Sequence, residues 1–227
     1  MDGTQGLAKR LKCLKRLRIE TRDSENEAAT VQKLTNHPQA IVVIDTMRSV
    51  KRQRSEIELC RGSLINNAAI TNSGGKSAEE LTPATWDAVM NVNVRGAWLM
   101  SVACLPHLKE SGRGAIVNIA SDTAMWGAPK LLAYVASKGA VIAMTRSLAR
   151  EFGTSNVTVN AIAPGLTEVE ATAYVPAERH EYYLKGRALT HAQLPDDVNG
   201  PMLFLLSDAA RFVTGQLLPV NRGFVMN

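Results

Sequence analysis

The chain has 227 residues and a mass of 24.6 kDa, with 45% hydrophobic and 21% charged residues, which suits one α/β domain with a sizeable core and is short for two. No apolar run approaches the ~18–20 residues that cross a bilayer: the longest, Leu131 to Met144, is interrupted by Lys138. Three cysteines and four histidines lie scattered, without C-x-x-C or other ligand spacing; this excludes a disulfide framework or a metal site and fits a reducing, cytoplasmic setting.

The net charge of +5 is all in the first quarter, because residues 1–61 hold 13 Lys/Arg against 8 Asp/Glu while the remainder holds 13 of each. The chain opens with Gly3 and Gly6 in a bare G-x-x-G, which reads equally well as a flexible start. From Leu7 to Arg18 the segment is basic, with leucines at 7, 11, 14 and 17 in helical spacing. That pattern describes a solvated helix with one buried stripe; the alternative is an interaction module for nucleic acid or a membrane surface. Glu20, Asp23, Glu25 and Glu27 follow at once, which argues against a transit peptide. Leu17 to Asp23 reads as a strand with its tip, 28–34 as a helix, 40–44 as a β-branched strand ending at Asp45, and 47–61 as a charged helix.

From Leu64 the pattern sharpens. Leu64 to Ile70 is a strand running into Asn66-Asn67-Ala68, and a polar loop follows. Thr82-Pro83 is a cap followed by proline at the first helical position, and the helix it starts continues to about Leu108. Asn93 and Gly96 are unfavourable choices inside it. Ala115 to Ala120 reads as a buried strand, with Ser121 at its end. Tyr134 and Lys138 are four apart, so on a helix they share one face. A tyrosine titrates near ~10, and a neighbouring ammonium lowers that value towards what acid–base chemistry needs. A serine hydroxyl nearby is suited to hold a substrate oxygen as charge develops on it. The helix continues to Phe152. Val157 to Ala163 is another buried strand, ended by Pro164-Gly165 with Thr167 beyond. Residues 168–194 are polar and irregular, 196–209 helical, and 215–220 a last strand.

Ser121 followed thirteen residues later by Tyr-x-x-x-Lys resembles the signature of the short-chain dehydrogenase/reductase family. Asn66-Asn67-Ala68-Ala69 resembles its N-N-A-G strand, Asn91 to Gly96 its N-V-x-G segment, and Pro164-Gly165 its P-G turn. The likeness covers about residues 62–227. It implies a single Rossmann-like, doubly wound α/β domain with a mainly parallel sheet over 1–227, in which 1–61 is a divergent or truncated nucleotide-binding half and 168–194 a substrate lid. The glycine turn T-G-x-x-x-G-x-G is matched only in its later part, with no strand before it, so the first strand is expected to be missing.

The resemblance further implies an NAD(P)-dependent oxidoreductase interconverting a secondary alcohol and a ketone. Asn93, Ser121, Tyr134 and Lys138 are then the catalytic set: Asn93 keeps a water in the proton relay, and Lys138 both lowers the tyrosine pKa and bonds the nicotinamide ribose. Gly3, Gly6, Leu7, Arg22, Asp45, Asn67, Ala68, Tyr134, Lys138, Pro164, Gly165 and Thr167 are the implied cofactor contacts. Asn67, the second asparagine, is the one that helps hold sheet and nucleotide, and Thr167 bonds the carboxamide. Arg22 leans towards NADP over NAD. A homotetramer or homodimer is the family habit, with a small-molecule substrate and neither nucleic acid nor membrane as partner. The rival implied by the defective amino-terminal half is a catalytically impaired member.

Overall fold

The structure, a computed structural model, describes the backbone of residues 41–44 and all of residues 62–227. Gly3, Gly6, Leu7, Arg22 and Asp45, the basic stretch 7–18, the strand at 17–23 and the helices at 28–34 and 47–61 lie outside the described residues.

Among the described residues, five strands form one sheet: β1 (Ile41–Ile44), β2 (Ser63–Asn66), β3 (Ala115–Ile119), β4 (Thr158–Pro164) and β5 (Leu217–Val220), in that order and all parallel. Between them run α1 (Pro83–Met90), a π-helical turn (Asn91–Gly96), α2 (Ala97–Glu110), the one-turn α3 (Thr123–Trp126), α4 (Leu132–Gly153), α5 (Ala177–Gly186) and α6 (Pro195–Leu206). A parallel sheet needs both faces covered, and successive strand residues point to opposite faces. Ile116 and Val159 accordingly pack with Met100, Cys104, Leu108 and Leu148 of α2 and α4. Val117 and Ile162 face the other way, against Val198 and Leu205 of α6. This is the α/β architecture the resemblance implies. Leu108 is fully buried, so Leu108→Ala is expected to lower unfolding stability by about 2–5 kcal/mol, measured by denaturant titration.

Four features differ from the sequence reading. In a doubly wound sheet of order 3-2-1-4-5-6, a strand following the second would lie at the sheet edge. Here Ile41–Ile44 pairs directly with β2, Ile41 opposite Ser63, which is the place that order gives to the first strand. The helix starting at Pro83 is as expected at its head, where the Thr82 hydroxyl accepts the Thr85 N–H at 3.2 Å, but it is not uniform: the wider π turn falls on Asn91–Gly96. The combined helix Pro83–Glu110 is also long and apolar enough by composition to cross a bilayer, contrary to the reading of the sequence. Val89, Met100, Cys104 and Leu108 of this stretch are buried in the core, while Trp98 and Val102 are exposed. Finally, 168–194 is not irregular throughout, since it contains α5.

Candidate active site

All five strands being parallel, β2, β3 and β4 end at the same edge of the sheet, the edge at which open α/β sheets bind ligands. Ser121 follows β3 by two residues, the Pro164–Thr167 turn ends β4, and Asn67 to Ile70 leave β2. Tyr134 and Lys138 come to this edge from the first two turns of α4.

Ser121 is buried, and its Oγ accepts from the Thr123 hydroxyl at 2.9 Å and the Thr123 N–H at 3.3 Å. The Ser121 hydroxyl acts on the Tyr134 phenol in the direction that favours its ionised form. Lys138 is 3% exposed, lies 5.5 Å from the centre of the Tyr134 ring and donates to the Ile119 carbonyl at 2.7 Å. Burial disfavours its charge and lowers its pKa to about 8.

The sequence led to the expectation that Lys138 lowers the tyrosine pKa; the structure has the phenol raised, to about 12. Burial is the dominant cause, the Ser121 hydroxyl pulls downward, and the Tyr174 and Asp122 side chains push further up. The ammonium is directed at a backbone carbonyl and the aromatic ring rather than at the phenol oxygen. Desolvation therefore wins. Tyr134 holds its proton at neutral pH, which suits a donor to a developing alkoxide.

Asn93 is 2% exposed. Its carboxamide accepts the Ile70 N–H at 2.7 Å and donates to the Ile70 carbonyl at 3.2 Å and the Ser137 hydroxyl at 3.0 Å. Both of its N–H donors are thus committed, and it ties the segment after β2 to α4. The π turn that carries it explains a residue so poor for an α-helix: one extra residue in the turn widens the helix at a place where a side chain is required.

Asn66, the residue before the expected Asn67, knits the sheet. Asn66 Nδ2 donates to Asn118 Oδ1 at 2.8 Å and Ser101 Oγ at 3.0 Å, and Asn118 Nδ2 reaches Thr145 Oγ1 at 2.9 Å. The two asparagines are direct neighbours in the β2–β3 register, so β2, β3, α2 and α4 are joined by one buried chain of hydrogen bonds. Asn118, Ser101 and Thr145 carry no sequence signal for this, because the contacts span 27 to 52 residues.

In the P-G turn, the Gly165 N–H donates to the Val220 carbonyl at 3.0 Å. A Cβ on Gly165 would meet Gln193 Oε1 at 2.9 Å, Asn221 Cβ at 3.0 Å and Asp122 Oδ2 at 3.2 Å. The glycine is therefore required by protein packed beneath the turn. The Thr167 hydroxyl donates to the Gly165 carbonyl at 3.1 Å, a bond within the turn. Arg222, standing where the resembling pattern has glycine, adopts the left-handed region at φ 57°, which a glycine enters without strain; its guanidinium pairs with Asp197 at 3.3 Å.

The region 168–194 covers this edge. The Tyr174 hydroxyl donates to the Thr71 carbonyl, and α5 packs Tyr182 and Tyr183 against Trp126 and Phe224, with the Tyr183 and Phe224 rings stacked at 4.2 Å. Tyr183 donates to Asp122 Oδ1 at 2.8 Å. Thr123, Asp122, Trp126 and Phe224 were not flagged from sequence. Only Asp122 and Thr123 carried any hint, by adjacency to Ser121.

The donor set at this edge fits the nicotinamide-ribose end of a dinucleotide. Lys138 has three N–H donors, of which Ile119 takes one, and two hydroxyls adjoin it. The five contacts expected for the remainder, Gly3, Gly6, Leu7, Arg22 and Asp45, are those outside the described residues.

Residues 26–225 match the family model described as enoyl-(acyl carrier protein) reductase. The chain is 36% identical over 163 residues to the 3-oxoacyl-(acyl-carrier-protein) reductase FabG of Thermotoga maritima, covering 72% of this chain and 65% of that protein. It is 38% identical over 170 residues to the inactive 2-(S)-hydroxypropyl-CoM dehydrogenase 2 of Xanthobacter autotrophicus, covering 70% of this chain and 71% of that one. Among solved structures, a gluconate 5-dehydrogenase from Burkholderia cenocepacia J2315 in complex with NADP and tartrate superimposes with a TM-score of 0.71 at 28% identity, covering 78% of this chain and 71% of the other. The chain spans under two thirds of the length of several curated relatives that it matches.

Proposed function

The chain belongs to the short-chain dehydrogenase/reductase family, and from that premise we propose that it is an NAD(P)-dependent oxidoreductase interconverting a secondary alcohol and a ketone at Ser121, Tyr134 and Lys138. The observation that carries the proposal is the gathering of the buried Ser121 hydroxyl, the Tyr134 phenol and the buried Lys138 ammonium, 5.5 Å from the Tyr134 ring centre, at the carboxyl edge of a parallel sheet. The bound dinucleotide supplies hydride to the carbonyl carbon. Ser121 holds the substrate oxygen, with Thr123 orienting its hydroxyl. Tyr134, protonated at neutral pH, donates to that oxygen as negative charge develops on it. Lys138 supplies the positive charge that steadies the tyrosinate left behind, and its remaining N–H groups face the ribose. Asn93 keeps the segment after β2 and the start of α4 in register. Its Oδ1 has one further lone pair, the place for a water that returns the proton.

Asn67, Ala68, Pro164, Gly165 and Thr167 line the nicotinamide side of this reading. The whole chain is read as a single dinucleotide-binding domain with 168–194 as its lid. NADP is preferred over NAD on the strength of the NADP-bound gluconate 5-dehydrogenase, while Arg22 precedes β1 in the chain and so does not stand where the ribose is read. Dimeric or tetrameric assembly and a cytoplasmic setting go with the same reading.

A second reading is favoured by one observation. No glycine occurs between Gly6 and Gly62, yet β1 occupies the first-strand position, after which a glycine turn would cradle a pyrophosphate. An impaired member would look like this. Titration with NADPH and with NADH, followed by cofactor fluorescence and melting temperature, separates the two. Saturable binding with a rise in melting temperature, tighter for NADPH, is expected. Absence of binding at millimolar concentration establishes the impaired reading.

A further inference from the structure

The residue after Ser121 is a carboxylate with no access to solvent. Asp122 is 0% exposed, and its Oδ2 has no hydrogen-bond partner. Its backbone N–H donates to the Pro164 carbonyl at 3.1 Å, so the Ser121 turn is pinned to the end of β4. Its Oδ1 accepts from the Tyr183 hydroxyl of α5, 61 residues away. Tyr183 is itself 3% exposed, receives the Trp126 indole N–H at 3.4 Å and stacks on Phe224. The α5 end fits this cluster closely, since a Cβ on Gly186 would meet Phe224 ring carbons at 2.6 and 2.8 Å. One buried side chain thus connects the lid helix to the turn bearing Ser121.

We propose that Asp122 is a positioning residue: through Tyr183 it seats α5 on the Ser121 turn, holding the lid down as a neutral acid and releasing it when ionised. This rests on the reading of Ser121 as the residue that holds the substrate oxygen. The physical reason is the difference in hydration between the two lid positions. With α5 seated, the carboxyl group is covered and one oxygen is unsatisfied, which costs little for a neutral acid and much for an anion. Lifting α5 admits water, and the anion gains most from it.

The groups facing Asp122 bear this out. Tyr183 bonds its carboxyl group, Asn221 and the Thr123 N–H favour its ionised form, and Arg187 at the end of α5 attracts it. Burial nonetheless outweighs all four and raises its pKa to about 6. Tyr134 of α4 feels it as a neighbouring negative charge. Arg187 is also engaged by Tyr183, Arg222 and Asp197, and Arg179 acts on Tyr183. The sign follows. A carboxylate whose pKa is raised in the seated state stabilises that state below about pH 4, and the contribution is lost as pH rises through about 6.

The test is hydrogen exchange of the 177–186 amides in the full chain between pH 4.5 and 8, corrected for intrinsic rates, in the wild type, Asp122→Asn and Tyr183→Phe. In the wild type, α5 exchange is expected to accelerate by about 10- to 100-fold with a midpoint near 6, while the β3 and β4 amides stay protected. Asp122→Asn, neutral at every pH, is expected to keep α5 protected throughout and to melt no lower than the wild type at pH 7.5. Tyr183→Phe removes a donor to the anion, so its midpoint is expected to move upward. A wild-type profile without a midpoint, or a midpoint unchanged in either variant, overturns the proposal. No turnover is needed for this readout. An inactive chain with a pH-dependent lid defeats the proposed function and leaves the latch standing, and an active chain with a pH-independent lid does the reverse.

Discussion

Tyr134→Phe is expected to lower ketone reduction by about 10²- to 10⁴-fold while leaving cofactor binding and the melting temperature close to those of the wild type. The phenol is the only group in the Ser121–Tyr134–Lys138 cluster whose raised pKa of about 12 keeps it a proton donor across the neutral range. Ser121 with its Thr123 partner remains to hold the substrate, so the loss falls on kcat rather than on KM. The ring itself is retained, and with it the packing of Lys138 above it. Wild-type turnover in the phenylalanine variant would remove Tyr134 from the mechanism. The same pKa makes the two directions respond differently to pH. Alcohol oxidation requires the tyrosinate and is expected to rise with pH towards about 12, whereas reduction is expected to decline above about 8, where the ammonium beside the phenol loses its charge.

That decline comes from Lys138, whose replacement by methionine is expected to have opposite effects on activity and on the pH dependence of stability. Turnover is expected to fall by at least about 100-fold, because the charge that steadies the tyrosinate is gone. For stability, the buried ammonium has a folded pKa of about 8, below its unfolded value. The unfolded chain therefore binds more protons between about 8 and 10.5, and wild-type stability rises with pH across that window. At pH 7 the buried charge costs about 3 kcal/mol, offset in part by its bond to the Ile119 carbonyl. The melting temperature of the wild type is thus expected to gain on that of Lys138→Met as pH rises from 7 to 10. A difference that stays constant with pH would show that Lys138 titrates normally.

Much of this was legible in the residues themselves. Three of the five described strands, β2, β3 and β4, announce themselves as apolar runs because both sheet faces are covered. Thr82-Pro83 marks its helix start because an N-terminal turn needs a side-chain acceptor and tolerates proline. Ser121, Tyr134 and Lys138 are legible for a related reason: four residues on a helix make one turn whatever surrounds it, and a serine closing a buried strand comes to the sheet's carboxyl edge.

What failed to show in the sequence depended on contacts between distant segments. Asn66 carries no local mark of its role, and only the pairing of β2 with β3 places it beside Asn118. The lid looked irregular because the apolar faces of Tyr182 and Tyr183 have no periodic partners within 168–194. Their partners are Trp126 and Phe224, brought there by the fold.

The pKa of Tyr134 shows where the boundary lies. The spacing to Lys138 was correct and the inferred direction of the shift was wrong, because a helical period places two groups on one face without stating how much water reaches them. The sequence by itself determined the local geometry of this protein: which segments are strands and helices, and which side chains project together from one turn. The tertiary structure decided the signs of the interactions, since burial, the carbonyl that captures the Lys138 ammonium and the carboxylate beneath Tyr183 all arise where segments remote in the chain exclude water together.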